Sequence, residues 1–168
     1  MRLEVRVSVA TPDDWRRVRS VRLAALADAP DAFSATLAEE VRRPEASWRG
    51  RLAGDAVTFL AALGDARDVG TAVVARAYDD PAALGLYAVW VAPEARGRGV
   101  GDALVASAVA HARAAGKARL VLDVGERNAA AIALYARAGF RPTGRTSTLP
   151  PPRERVAELE MALDLAAG

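Results

Sequence analysis

The sequence predicts an α/β protein: a mixed, mostly antiparallel sheet of about seven strands with a central parallel pair, flanked by about four helices. Three observations carry this. Apolar alternation or short apolar runs, which suit strands, interleave along the chain with apolar stripes at helical spacing. A strand-helix-strand unit from Ala83 to Val124 implies a parallel pair joined by a right-handed crossover. The remaining strands, two pairs of which are joined by turns alone, read as antiparallel. No linker or repeat interrupts the 168 residues, so the chain reads as a single domain, 1–168.

The elements follow in order. Leu3, Val5, Val7 and Val9 alternate with polar residues and give a half-buried strand. Thr11-Pro12-Asp13-Asp14 starts a helix, with a threonine cap, a first-turn proline and acids at the positive end of the dipole. It carries Trp15, Val18, Val21, Ala25 and Leu26 inward and ends near Ala29-Pro30. The segment DAFSATLAEEVRR reads as a loop or broken helix, and a short helix runs from Pro44 to the stop at Gly54. Val57–Leu63 and Val69–Ala77 form a hairpin across Gly64-Asp65. Ala83–Val91 is apolar throughout, as a central strand buried on both faces would be. A helix follows to about Ala115, with Leu104, Val105, Ala108, Val109 and Ala112 on its inner face. Arg119–Val124 is a strand, and a helix opens at Asn128 and closes at Gly139. The last strand alternates Leu159, Met161, Leu163 and Leu165 with acids, and pairs with a segment starting at Phe140.

Composition removes several functions. The chain has no cysteine, which excludes disulfides, thiolate metal sites and an acyl-cysteine route. Its one histidine, His111, falls mid-helix, far from the strand ends, and reads as non-catalytic; no metal is expected. The N-terminus lacks a signal-peptide layout, and no apolar run nears the roughly 20 residues of a membrane helix, so a cytoplasmic protein with no membrane partner is expected. Net charge is +2 with a sequence pI near 9.5. The arginines are spread along the chain without a basic block interleaved with aromatics, so no nucleic-acid partner is expected.

The informative stretch is VAPEARGRGVGDALV, Val91 to Val105. A strand that passes through glycines into a helix N-terminus presents unpaired N–H groups and about half a positive charge to an anion. The spacing is neither that of the phosphate loop nor the dinucleotide fingerprint, because Gly97, Gly99 and Gly101 give G-x-G-x-G.

Arg96-x-x-Gly99-x-Gly101 after a buried strand resembles the pyrophosphate loop of the GNAT superfamily, the acyl-CoA-dependent N-acetyltransferases. That family's second signature is matched by NAAAIALYARAGF, Asn128 to Phe140, and the element order agrees from Leu3 to Leu165. The resemblance implies the GNAT fold, in which the central parallel pair is splayed, with acetyl-CoA as co-substrate and a primary amine, small molecule or peptide, as acceptor. Backbone N–H groups from Arg96 through Gly97, Arg98, Gly99, Val100 and Gly101 to Asp102 would hold the pyrophosphate, with the Asp102 side chain turned away. A bulge at Val89, Trp90 and Val91 would free backbone for the pantetheine arm, with the Val91 N–H at the oxyanion. The Trp90 side chain reads as sheet packing. Asn128, two helical turns from Tyr135 on one face, would contact the arm or cap its helix. Tyr135 would protonate the departing thiolate.

Here the sequence departs from the family pattern, because the Ala83–Val91 strand holds no acid to take the amine's proton. Asp123 and Glu126 are the candidate bases, with Glu39 and Glu40 as alternatives that otherwise read as solvated surface acids. Tyr87 would face the acceptor. The loops Pro30–Arg43 and Thr146–Arg153 would border it. A catalytically silent acyl-CoA sensor or scaffold is the alternative function, and a homodimer is left open.

Overall fold

The computed structural model describes residues 2–65 and 67–166; the remaining positions of the expected 1–168 unit lie outside the described residues. Seven strands form one sheet in the order β1-β2-β3-β4-β5-β7-β6. They are β1 (Val5–Val9), β2 (Val57–Leu63), β3 (Asp68–Arg76), β4 (Ala83–Val91), β5 (Arg119–Gly125), β6 (Arg141–Thr148) and β7 (Ala157–Asp164). The helices are α1 (Trp15–Asp28), α2 (Leu37–Val41), α3 (Glu45–Ala53), α4 (Val100–Ala114) and α5 (Ala129–Arg137). β4 and β5 are the parallel pair, and every other pairing is antiparallel.

The core forms where the strand runs meet the helix stripes. All five residues expected on the inner face of α4 are buried, together with Val100. They cover Leu60, Ala61, Val69 and Ala72 in one cluster with Leu120, Leu122 and Met161 of the far half-sheet. Burial of such side chains is the main favourable term in folding, at about 25 cal/mol per Å² of apolar surface. α1 adds Val21, Ala25 and Leu26, and α3 adds Trp48, as the periodicity requires.

Three features differ from expectation. The segment read as a loop or broken helix contains α2, held by a capping box: the Glu39 N–H donates to the Thr36 hydroxyl (3.3 Å), and the Thr36 N–H donates to the Glu39 carboxylate (2.9 Å). β7 pairs with the expected segment but also inserts against β5, from Asp164 opposite Arg119 to Glu158 opposite Gly125. β4 is not uniformly buried, and Tyr87, Ala88 and Val89 are half-buried. The reason is the splay beside it: β4 and β5 pair only from Ala83 to Gly85 with Arg119 to Val121, then separate.

Candidate active site

The separation of β4 from β5 opens a cleft of about 1120 Å³. Past Gly85, the edge of β4 that faces β5 has no strand partner. Unpaired backbone at such an edge must find hydrogen bonds elsewhere, and an extended ligand can supply them.

The same strand carries a bulge. Tyr87 opposes Val73 and Trp90 opposes Thr71, so Ala88 and Val89 together face Ala72. Ala88 has φ +54°, a left-handed conformation that non-glycine residues rarely adopt and that marks strain held by the surroundings. The bulge therefore sits one residue earlier than the expected Val89–Val91. After it the ladder resumes, with the Ala92 N–H on the Val69 carbonyl at 2.7 Å. By antiparallel alternation the N–H and C=O of Val91 then point away from β3, toward the splay.

The turn after β4 enters α4 through glycines. Gly97 (φ +73°) and Gly99 (φ +85°) need the left-handed region, and a Cβ at either would meet nothing within 4 Å. Backbone shape and open space in front of it, not packing, explain these two glycines. The Arg96 N–H is spent on the Pro93 carbonyl (3.3 Å). From Gly97 to Asp102 no backbone acceptor is paired with the N–H groups among the described residues, so the free donors number one fewer than expected. Asp102 turns to Arg137 of α5, at 3.2 Å.

Asp28, at the end of α1, ties these parts together. Its Oδ2 accepts the Trp90 indole N–H at 2.9 Å and the Arg96 guanidinium, whose Nε donates to the Val91 carbonyl at 3.0 Å. One carboxylate thus pins both the strand and the mouth of the glycine turn. Trp90 is buried, in keeping with a packing role, and Arg98 is exposed.

Asn128 and Tyr135 both line the cleft. The Asn128 side chain caps α5, accepting the Ala131 N–H at 3.2 Å. Tyr135 is 7% exposed and lies edge-on to Phe140 at 5.9 Å. Its hydroxyl makes no hydrogen bond among the described residues, and burial pushes the phenol up to about 12. Asp123 and Glu126 line the cleft as well. Asp123 opens into it, yet the walls strip enough water, with Glu160 opposite, to raise its carboxyl. Tyr87 lines the cleft with its ring over Gly85, where a Cβ would collide with the ring and hydroxyl, and donates to the Arg76 carbonyl at 3.0 Å. His111 is outside the cleft, edge-on to Phe59 at 6.1 Å.

Glu39 and Glu40 are not cleft residues. Glu39 is spent on the α2 cap. Glu40 is no surface acid: it is fully buried, where Arg51 (2.9 and 3.1 Å), Arg43 (2.7 Å) and Arg22 (3.4 Å) hold it. Although burial opposes ionisation, these guanidiniums bring its carboxyl down to about 2. Of the two loops expected to border the acceptor, Pro30–Ser34 and Ser147–Pro150 line the cleft, and the loops are joined: Arg153 donates to the Ser34 carbonyl at 2.7 Å and to those of Pro30 and Phe33, while Arg155 pairs with Asp31 at 3.2 Å. The sequence reading missed Glu158 and Glu160, which the β5-β7 register brings beside Asp123. Their alternation with Leu159 and Met161 placed them on the polar face but not over a cleft.

A family model, Acetyltransferase (GNAT) family, matches residues 23–140. The chain belongs to this family. Among curated GNAT relatives, a mycothiol acetyltransferase of Thermobispora bispora is 38% identical over 120 residues, 69% of this chain and 39% of its own length. The chain thus spans about two-fifths of that relative. Among solved structures, an N-acetyltransferase from Staphylococcus aureus Mu50 superposes with TM-score 0.76 at 20% identity, over 96% of this chain and 99% of the other. The yncA protein of Salmonella typhimurium, solved with its cofactor acetyl-CoA, gives 0.74 at 19% identity over 96% and 94%. These two likenesses show the GNAT fold.

Proposed function

We propose that this chain transfers an acetyl group from acetyl-CoA to a primary amine within a ternary complex. The observation that carries the reading is two groups of backbone groups without strand or turn partners, on the edge of β4 past Gly85 and at Gly97–Asp102, together with the unpartnered Tyr135 phenol in the cleft that this edge lines. The donors suit a pyrophosphate with an extended arm: anions bind at helix N-termini, and charge-assisted hydrogen bonds contribute on the order of 1.5–3 kcal/mol each. The site fits acetyl-CoA on those grounds, and when bound it supplies a thioester carbonyl activated for acyl transfer.

The chain's residues then divide the work. Gly97–Asp102 hold the diphosphate, with Asp28 fixing the loop through Arg96. Val89 and Val91 offer backbone to the arm, and the Val91 N–H faces the developing oxyanion. Asp123, its carboxyl raised, accepts the proton that the amine nitrogen sheds as the C–N bond forms and the C–S bond breaks. Glu126, exposed at the end of β5, is the second candidate for that proton. Tyr135 donates to the departing sulfur. A thiol titrates near 8.5, so a phenol at about 12 serves it better as a hydrogen-bond donor than as a full proton donor, and it stays protonated wherever amines are free.

The test is thiol release from acetyl-CoA across an amine panel. Tyr135→Phe is expected to lower kcat at least tenfold while calorimetry shows acetyl-CoA affinity unchanged. Unchanged kcat removes the role given to Tyr135. Tight acetyl-CoA binding without thiol release from any amine replaces the transferase reading with that of a silent acyl-CoA sensor.

A further inference from the structure

Eight carboxylates and five arginines line the cleft, a balance of −3 in a chain whose balance is +2. Most of these charges have partners. Asp28 meets Arg96, Asp31 meets Arg155 and Asp80 meets Arg119. Arg145 is shared by Asp79 at 3.5 Å and Glu160 at 3.9 Å, and the Thr143 hydroxyl donates to Glu160 at 2.9 Å. Arg22 is committed to Glu40 and lies over the Phe33 ring. Among the described residues the side chains of Asp123, Glu126, Arg127 and Glu158 make no ion pair or hydrogen bond, which leaves three acids and one cation unpaired.

The sheet register gathers the acids. Asp123 lies directly opposite Glu160, and Gly125 opposite Glu158, so Asp123, Glu158 and Glu160 share one face above the cleft. Like charges so placed repel. Burial and the neighbouring Asp123 raise the Glu158 carboxyl, and burial and Glu160 raise that of Asp123. A second feature of the same cleft also calls for a ligand: the Tyr135 side chain is nine-tenths buried, and its hydroxyl is unpartnered among the described residues.

A wall of acids that held only the reacting ammonium would oppose its own chemistry, because a nearby carboxylate favours the charged form and so resists the deprotonation that attack requires. A second cation that does not react escapes this conflict. We infer that the acceptor carries two positive groups, a reacting amine and a second cation seated on Glu158 and Glu160. Diamines and basic amides fall in this class, and amines bearing a carboxylate do not. The inference rests on the cleft being the acceptor end of the transferase.

The experiment compares a diamine, a monoamine and an amino acid of equal chain length as acceptors for wild type, Glu158→Gln and Glu160→Gln, each variant checked for its melting transition. The expected order of kcat/KM is diamine, monoamine, amino acid, with at least tenfold between the first two. Either variant that retains the wild-type melting transition narrows that gap to about threefold or less. Equal kcat/KM for diamine and monoamine overturns the inference and leaves the transferase reading intact. Calorimetric titration of the diamine without acetyl-CoA tests the inference apart from turnover. Binding to wild type that weakens in the variants supports it even if no amine is acetylated, and binding of equal strength overturns it.

Discussion

Two sets of carboxylates in this molecule respond to burial in opposite ways. Glu40, with none of its surface exposed, titrates at about 2, while Asp123 and Glu158, both more open, are pushed upward. Desolvation alone predicts the reverse order. The difference is in partners: Glu40 has three guanidiniums, and Glu158 has none among the described residues. The first arrangement is closed, because every charge is answered within the fold. The second is open toward a cleft, and unanswered charge at a cleft is what a binding site offers.

The largest effect should come from breaking the closed set. Glu40→Gln leaves Arg22, Arg43 and Arg51 facing one another, and removing one partner of a buried pair costs roughly 3–5 kcal/mol. Denaturant midpoints should fall accordingly, and a loss below about 1 kcal/mol would show the hub to be dispensable. The pH dependence has a defined sign. The folded pKa of Glu40 lies below its ordinary 4.5, so its stabilisation is complete above that value and is lost as pH falls toward about 2.

A smaller effect is expected at Asp28. Asp28→Asn keeps the shape but removes the charge that holds Arg96, and exposed pairs contribute about 0.2–1 kcal/mol. Acetyl-CoA affinity should weaken by less than tenfold by calorimetry, and no change would separate the pin from the loop.

The smallest effect should come from the open set and should have the opposite sign to that of Glu40. The raised carboxyls of Asp123 and Glu158 cost stability once pH climbs through their folded pKa values. Asp123→Asn should therefore leave the melting temperature at pH 8 unchanged or slightly raised, with a gain under about 1 kcal/mol, while turnover falls. A clear loss of stability would make Asp123 a structural residue and erase the contrast with Glu40.

Much of this was legible in one dimension. The bounds of β2 and β4, the buried face of α4 and the capping role of Asn128 follow from periodicity and cap chemistry, which act within a few residues. The α2 helix was also readable, since Thr36-x-x-Glu39 is a capping-box spacing, but the surrounding polar residues obscured it. The bulge lies at Ala88–Val89, one residue before the expected position, because Ala88 looks like any strand alanine until its pairing with β3 is known.

By itself, the sequence determined the elements, the glycine turn that enters α4 and the shared face of Asn128 and Tyr135, because each depends on spacing along one segment. The tertiary structure decided which charges find partners. Arg22, Arg43 and Arg51 converge on Glu40 from three separate segments, and Asp28 reaches Trp90 and Arg96 across more than 60 residues of chain. Only the insertion of β7 between β5 and β6 sets Glu158 and Glu160 beside Asp123. Electrostatic interactions depend on distance through space, and strand order is a property of the whole sheet that no local window of sequence contains.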